Sequence, residues 1–204
     1  MTPTTSWLNV TKVNNVAGPK DLMKKIVVVD YDHTWPAVFE TLRLRLLTGL
    51  DEAATDIAHV GSTAVPGLAA KPVIDLDVIV RTSSEVPHAI SQLVALGYEH
   101  RGQLGIEGRE AFRAPGSLPP HHMYLCVEGG LALTNHLAVR DCLRARPDLV
   151  AEYGALKKSL AAALPHDGDS YTAGKTLFLL RVLRQAGLSG EQIARIEQAN
   201  RLPG

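Results

Sequence analysis

Several features that the sequence lacks exclude whole classes of protein. No apolar run approaches the roughly 18 residues needed to cross a membrane as a helix, and the first residues lack the basic stretch and apolar stretch of a signal peptide. The two cysteines, Cys126 and Cys142, lie in an apolar run and a helical pattern, which favours buried thiols in a reducing compartment over a disulfide. We therefore expect a cytoplasmic protein with no membrane partner.

The chain also lacks an excess of charge of either sign. Its 21 basic residues balance 21 acidic residues, for a formal net charge of +0. Because proteins bind long nucleic acids largely by neutralising phosphates, this balance does not indicate such a partner, although a local basic patch stays open. The 204 residues, with an apolar share of 46%, are enough for one well-buried core.

The spacing of apolar residues mixes strand and helix periods up to about residue 128 and keeps the helix period afterwards. The strand patterns are at 26–29, 57–60, 73–80, 98–103, 111–113 and 122–127, and the helix patterns at 34–50, 84–97, 132–145, 148–163, 170–186 and 189–200. This order predicts an α+β fold, with a helical C-terminal layer on a core of strands and helices.

The most informative strand pattern, at residues 73–80, carries two aspartates among apolar residues. The strand period of two sends Asp75 and Asp77 to one face and their apolar neighbours to the other. Two like charges held this close are costly unless a cation neutralises them. Since Mg²⁺ prefers carboxylate oxygens, the pair predicts a divalent metal site. A solvated strand face is the alternative, and the apolar residues on both sides argue against it.

A glycine-serine pair stands upstream, where the strand pattern of residues 57–60 ends. Gly61 gives the backbone room for close approach, and Ser62 offers a hydroxyl and a backbone donor to a phosphate. An ordinary helix N-cap at Ser62 is the alternative. Together with the aspartates, the pair predicts metal-assisted chemistry on a nucleotide.

The glycine-serine pair and the aspartates resemble the motifs of a known family. Gly-Ser followed about a dozen residues later by Asp-hydrophobic-Asp resembles the nucleotidyltransferase superfamily typified by DNA polymerase beta. The finer pattern of residues 59–63, 65–72 and 74–75 resembles the signature of the GrpB-like family. Flanking positions agree, namely Tyr31-Asp32, Trp35-Pro36, Phe112-Arg113, His121-His122, residues 136–141, Tyr153, Lys157, Tyr171 and Lys175.

The resemblance covers about residues 25–186 and implies a nucleotidyltransferase-like mixed sheet with flanking helices. We accordingly divide the chain into an N-terminal tail (1–22), a GrpB-like nucleotidyltransferase-fold domain (23–187), and a C-terminal helix and tail (188–204). Outside the signature we interpret Tyr153 and Tyr171 as packing residues and Lys175 as a solvated helix charge.

The resemblance also implies roles for individual residues. Asp75 and Asp77 would be catalytic and would bind one or two Mg²⁺ ions that neutralise the nucleotide phosphates. Lys71 would add a positive charge near those phosphates, although a plain turn residue is an equal alternative. The substrate-binding residues that it implies are Gly61, Ser62, Lys71, Arg113 and His122.

The sequence departs from the superfamily at its third carboxylate. A neighbouring strand usually supplies it, but the pattern at residues 121–128 offers His122 and Tyr124 instead. Members of the GrpB-like family tend to carry a second histidine where Tyr124 stands. We therefore expect either that His122 joins Asp75 and Asp77 as a metal ligand or that the site is impaired in two-metal transfer.

Three functions follow from these observations. The leading hypothesis is a Mg²⁺-dependent nucleotidyltransferase acting on a nucleoside triphosphate and a small acceptor. The missing carboxylate motivates the first alternative, a non-catalytic nucleotide-binding or assembly module. The second alternative is a metal-dependent hydrolase built on His121, His122 and the aspartates. The base, the acceptor and the oligomeric state do not follow from the sequence.

Overall fold

A five-stranded mixed sheet forms the centre of the fold. The strands are β1 (Asp56–Val60), β2 (Ile74–Val80), β3 (Glu99–His100), β4 (Arg109–Arg113) and β5 (His121–Val127). They lie in the order β1-β2-β5-β4-β3, with β2 and β5 parallel and the other neighbours antiparallel. The computed structural model describes residues 25–51 and 53–199, so the predicted tail of residues 1–22 lies outside the described residues.

Helices surround this sheet. They are α1 (Trp35–Leu50), α2 (Val86–Ala95), α3 (Leu131–Ala145), α4 (Pro147–Ala163), α5 (Gly168–Ala173), α6 (Thr176–Gln185) and α7 (Gly190–Ala199). The first two pack on one sheet face, α3 covers the other, and the remaining helices form a C-terminal layer. The predicted α+β fold is therefore confirmed. Within the described part of the chain, none of these helices combines the length and the apolar character needed to traverse a bilayer.

Strand β2 shows why the aspartates share a face. Ile74, Leu76 and Val78 point into the core formed with α1 and α2, and each is at most 2% exposed. Burying such a side chain contributes about 1.5–3 kcal/mol, which fixes the register of the strand. Alternation then turns Asp75 and Asp77 to the same opposite face, as the sequence predicts, and α3 covers that face.

Two predicted elements differ in the structure. Residues 26–29 form only a bridge between Val29 and Ala70, and the valine side chains at 27 and 29 remain exposed. The predicted helix at 170–186 is divided into α5 and α6 at Gly174, whose Cα approaches the side chain of Leu160 so closely that a Cβ would collide with it. Glycine is a poor helix former, and the break leaves Lys175 between the two helices.

The last helix, α7, lies in the segment predicted as the C-terminal helix. Its Ile193 and Ile196 are buried against Leu180 and Leu183 of α6. The contact is apolar, as expected for one face of an amphipathic helix. It brings α7 close to the edge of α3, where a cavity described below is found.

Candidate functional site

A cavity of about 40 Å³ lies beside the first residues of β2 and the turn after β1. Its walls are formed by Ser62, Thr63, Ala70, Lys71, Val73, Asp75, His122, Lys157, Tyr171 and Lys175. We call it the lysine cavity. The structure thus brings together four of the predicted site residues, Ser62, Lys71, Asp75 and His122, with Gly61 next to them in the chain. Its volume accommodates a few water-sized groups and is far below the usual size of a site for a whole nucleotide.

The glycine-serine turn lies directly against Asp75. Gly61 has φ of +68°, a conformation that L residues with a side chain rarely adopt. A Cβ at this position would also collide with the carboxylate of Asp75, so the position requires glycine on both grounds. The chain then enters a short 3₁₀ turn, Ser62–Ala64, in which the Oγ of Ser62 accepts a hydrogen bond of 2.8 Å from Lys157 Nζ.

Asp75 is paired with His122 across the two parallel central strands. The residues are register partners, and His122 Nδ1 donates to Asp75 Oδ1 over 2.8 Å. Burial alone raises the pKa of Asp75, but the hydrogen bond and charge of His122 and the charge of Lys71 outweigh it, so the pKa is lowered overall. The carboxylate is therefore ionised at neutral pH.

Three lysines from different parts of the chain converge on this carboxylate. Lys157 on α4 is only 2% exposed and Lys175 only 7%, while Lys71 is partly buried. Burial lowers the pKa of Lys175 to about 7, assisted by the charge of Lys71 and opposed by Asp75. Burial also lowers the pKa of Lys157 and of Lys71, that of Lys157 by much more. The interpretation of Lys175 as a solvated charge is wrong.

Tyrosine rings support the ammonium groups. The ring of Tyr171 lies 5.6 Å from Lys71 Nζ and 4.7 Å from Lys175 Nζ, and the ring of Tyr153 lies 4.5 Å from Lys157 Nζ. Cation–π contacts of this length offset part of the desolvation of a buried amine. The two tyrosines therefore do more than pack. When protonated, three amines around one carboxylate carry an excess of positive charge, which matches a phosphate-bearing ligand.

Asp77 does not line the lysine cavity. It is completely buried, and its Oδ2 accepts a hydrogen bond of 2.7 Å from His136 Nδ1 on α3. Its Oδ1 is buried and has no hydrogen-bond partner among the described residues. The two aspartates therefore share a sheet face but have different histidine partners, His122 for Asp75 and His136 for Asp77.

The donor set can be compared with the needs of a divalent cation. Residues 25–51 and 53–199 contain no cluster of three or more His, Cys, Asp or Glu side chains arranged to hold a metal ion. Mg²⁺, however, is usually bound through one or two carboxylates plus substrate phosphates and water. The carboxylate of Asp75 at the lysine cavity fits such a phosphate-assisted site, whereas the unpartnered Oδ1 of Asp77 is buried and lies outside the cavity lining.

The structure separates the two adjacent histidines. His121 is the register partner of Ile74 and points to the sheet face that α1 and α2 cover. There its Nε2 contacts the hydroxyl of Tyr98 at 2.9 Å, and its Nδ1 contacts the carbonyl of Pro119 at 2.7 Å. His122 faces the opposite side with Asp75. Since both nitrogens of His121 are engaged, the two histidines do not form the joint metal site that the hydrolase hypothesis requires.

Two further residues lie outside the lysine cavity. Arg113 on β4 is exposed, forms an ion pair of 3.0 Å with Glu99, and is not among the lining residues. The structure therefore does not bring this predicted substrate-binding residue to the lysine cavity. His59 stacks on Phe39 and contacts Thr63 Oγ1 at 3.0 Å, and burial lowers its pKa to about 4, as expected for a neutral structural histidine.

The family resemblance includes the positions of Lys157 and Lys175, but sequence reasoning assigns neither lysine to the site. Lys157 follows Tyr153 by four positions, and both lie on the buried face of α4, so helical periodicity could have identified it. The position of Lys175 depends on the helix break at Gly174, a glycine inside the helix pattern of residues 170–186. The resemblance includes His136 as well, but no local pattern pairs it with Asp77, which is 59 residues away in the chain.

The chain is similar to a known protein family and to several curated proteins. The family model described as GrpB protein matches residues 25–185. UPF0157 protein YqkA of Bacillus subtilis is 39% identical over 154 residues, which cover 74% of this chain and 44% of YqkA. The chain thus spans less than half of the length of that curated relative. UPF0157 protein SCO7215 of Streptomyces coelicolor is 35% identical over 179 residues, covering 88% of this chain and 92% of that protein.

A solved structure is similar as well. The crystal structure of the conserved protein GrpB from Enterococcus faecalis aligns with a TM-score of 0.71 and 35% identity. The alignment covers 78% of this chain and 96% of that chain.

Proposed function

The chain belongs to the GrpB family, and on that premise we propose that it is a Mg²⁺-dependent nucleotidyltransferase acting on a nucleoside triphosphate and a small acceptor. The observation that carries the proposal is the convergence of Lys71, Lys157 and Lys175 on Ser62 and Asp75. Amines buried at this depth are costly to keep charged, and a polyphosphate would repay that cost.

In this proposal the lysine cavity holds the phosphates. Lys157 and Lys175 would bind non-bridging oxygens from the helical layer, and Ser62 and Lys71 from the sheet side. The cavity of about 40 Å³ cannot contain a nucleoside, so the sugar and the base would lie outside it. The ammonium charges would remain in a water-poor site, where they stabilise developing negative charge better than in solution.

The aspartates would hold the cation. Asp75 and the unpartnered oxygen of Asp77 are the protein oxygens suited to it, with His122 orienting the first and His136 the second. When bound, Mg²⁺ would neutralise the phosphates and orient the attacking group. His122 remains a predicted ligand, and since its Nδ1 donates to Asp75, it would have to bind through Nε2.

The proposed reaction balances without a further reactant. A hydroxyl oxygen of the acceptor would attack the α-phosphorus, forming the new O–P bond, and the bond from the α-phosphorus to the bridging oxygen would break. Pyrophosphate would leave with the electron pair of that bond. The hydroxyl proton would pass to a neighbouring base or to water.

Release of pyrophosphate tests the proposal. We expect the wild-type protein to release it from a nucleoside triphosphate in the presence of Mg²⁺ and a panel of hydroxyl-bearing small molecules. Asp75→Asn and Asp77→Asn should each lower the rate by at least about 100-fold, because each removes an electrostatic contact to the transition state. Asp56→Asn, on an exposed carboxylate of β1, is the matched control. Equal rates of pyrophosphate release in wild type and both site variants would contradict the proposal.

One observation favours a second candidate, a nucleotide-binding or assembly module without turnover. Asp77 is completely buried and does not line the lysine cavity, so a cation reaches its unpartnered Oδ1 only if the surrounding residues move. Titration calorimetry with a nucleoside triphosphate and Mg²⁺ separates the two functions. Binding with no pyrophosphate release across the acceptor panel would select the module, whereas release that depends on Asp75 would select the enzyme.

A further inference from the structure

A second and larger cavity, of about 510 Å³, lies between the start of β4, α3 and α7. Its walls include Arg109, Asn135, His136 and Arg195, with apolar surface from Ile106 and Leu131. We call it the arginine cavity. None of these residues lines the lysine cavity, and the volume is in the usual range of sites for small molecules.

Arg109 is the unusual member of this wall. Its side chain is completely buried, and none of its three guanidinium nitrogens has a hydrogen-bond partner within the part of the chain that the structure describes. The guanidinium carbon lies 4.4 Å from the centre of the Tyr124 ring, but a contact with a ring face leaves the N–H donors unused. Because arginine stays charged in proteins, a buried guanidinium without an acceptor is strongly unfavourable. The arrangement therefore indicates an oxyanion as its partner.

The remaining wall residues agree with an anionic ligand. Arg195 on α7 is exposed and adds a second positive charge at the cavity, while Asn135 offers an amide that can both donate and accept. Glu107 also lies in the wall, but it is exposed, so solvent screens its charge more than that of Arg109. The planar fork of a guanidinium matches the paired oxygens of a carboxylate or phosphate group.

One hydrogen bond connects the arginine cavity to the strand that carries both aspartates. His136 lines the arginine cavity, and its Nδ1 donates to Asp77, which stands two residues after Asp75 of the lysine cavity on the same face of β2. A ligand in the arginine cavity would thus contact the histidine that orients Asp77. We infer that the arginine cavity binds a small molecule through a carboxylate or phosphate group held by Arg109. Its assignment as the acceptor site rests on the function proposed above, whereas the binding of an oxyanion does not.

Titration calorimetry with two probes, inorganic phosphate and malonate, tests the inference in wild type and in variants. Arg109→Met should weaken binding by about 30-fold or more, because it removes a buried charged partner of the ligand. Arg195→Gln should weaken it by about 3- to 10-fold, as expected for an exposed charge at the rim. Arg43→Gln, on α1 at the opposite face of the sheet, is the control and should bind as wild type does.

Thermal unfolding of each variant accompanies the titrations. Arg109→Met removes an unpartnered charge, so we expect it to fold; if it does not, Arg195→Gln still decides the question. Failure of both probes to bind wild type overturns the inference, as does wild-type affinity in a folded Arg109→Met protein. If Arg109→Met does not fold, binding to Arg195→Gln that equals binding to Arg43→Gln overturns it. Loss of binding in Lys175→Met, with retention in Arg195→Gln, would place the oxyanion in the lysine cavity and also overturn it.

A parallel titration with tripolyphosphate separates this inference from the proposed function. The lysine cavity should bind tripolyphosphate equally well in wild type and Arg195→Gln. If malonate binding depends on Arg195 while no nucleotide is turned over, the oxyanion site stands and only its role as an acceptor site fails. If pyrophosphate is released but neither probe binds, the inference fails and the proposed function stands.

Discussion

Replacing Lys175 by methionine should stabilise the free protein and weaken its binding of polyphosphate. Methionine has a similar length and no charge, so it fills the space between α5 and α6 without a desolvation penalty. Wild-type Lys175 is 7% exposed, and burial and the charge of Lys71 both oppose its protonation. A gain in stability together with a loss of polyphosphate binding would distinguish a lysine that binds ligand from a lysine that only stabilises the fold.

The pKa of Lys175 sets the size of the stabilisation. Its pKa falls from the ordinary 10.5 to about 7, and each unit corresponds to about 1.36 kcal/mol. At pH 7, where about half of the folded molecules carry the proton, the shift lowers stability by about 4 kcal/mol. Relaxation around the ammonium reduces this cost, so we expect Lys175→Met to raise the free energy of unfolding by about 2–4 kcal/mol.

The stabilisation should depend on pH with a definite sign. Between pH 7 and 10.5 the unfolded chain keeps the proton on Lys175 and the folded chain does not, so wild-type stability rises with pH in that window. The advantage of Lys175→Met is therefore largest below pH 7 and shrinks toward pH 10.5. Urea unfolding at pH 6.5 and pH 9 measures it, with Lys158→Met as the control, since Lys158 is half-exposed and pairs with Asp30 at the surface.

Ligand binding completes the test. Tripolyphosphate stabilises the folded state according to its affinity, and the loss of one charge-assisted contact should weaken that affinity by at least about 10-fold. Lys158→Met should retain wild-type affinity. A Lys175→Met protein that is less stable than wild type at pH 7, and that binds tripolyphosphate within twofold of wild type, would refute the reasoning.

Two further predictions concern the turn and the protonation of the lysines. Gly61→Ala should lower the free energy of unfolding by about 2 kcal/mol or more, because Gly61 has a positive φ and a Cβ there collides with Asp75. Urea unfolding measures this loss. The control is Gly116→Ala, since a Cβ at that position meets no atom within 4 Å. The affinity for tripolyphosphate should fall as the pH rises above about 7, because the anion favours the protonated form of Lys175. Calorimetry in buffers of different ionisation enthalpy should detect proton uptake on binding near pH 8. An affinity independent of pH from 7 to 9, or proton release on binding, contradicts the second prediction.

The sheet side of the site follows well from local sequence. A strand period of two, with Ile74, Leu76 and Val78 as the buried set, correctly places Asp75 and Asp77 on the other face. The glycine-serine turn is likewise a local feature, since its glycine is required by a positive φ and by the approach to Asp75. Family membership was predicted from the same segment, and the match over residues 25–185 confirms it.

The helical side of the site depends on long-range packing. Lys157 contacts Ser62 across 95 positions in the chain, and only its place on the buried face of α4 distinguishes it from a surface lysine. Lys175 reaches the cavity where the helix breaks at Gly174, which lies against the side chain of Leu160. The separate partners of Asp75 and Asp77 depend in the same way on how β5 and α3 meet β2. Such pairings follow from tertiary structure and not from any local pattern.

A crystal structure with Mg²⁺ and a nonhydrolysable nucleoside triphosphate tests the central claim most directly. The account predicts phosphate oxygens within hydrogen-bond distance of Ser62 Oγ, Lys157 Nζ and Lys175 Nζ, with the cation between the phosphates and the carboxylates of Asp75 and Asp77. A nucleotide bound away from the three lysines, or bound there with no cation at either aspartate, would contradict it.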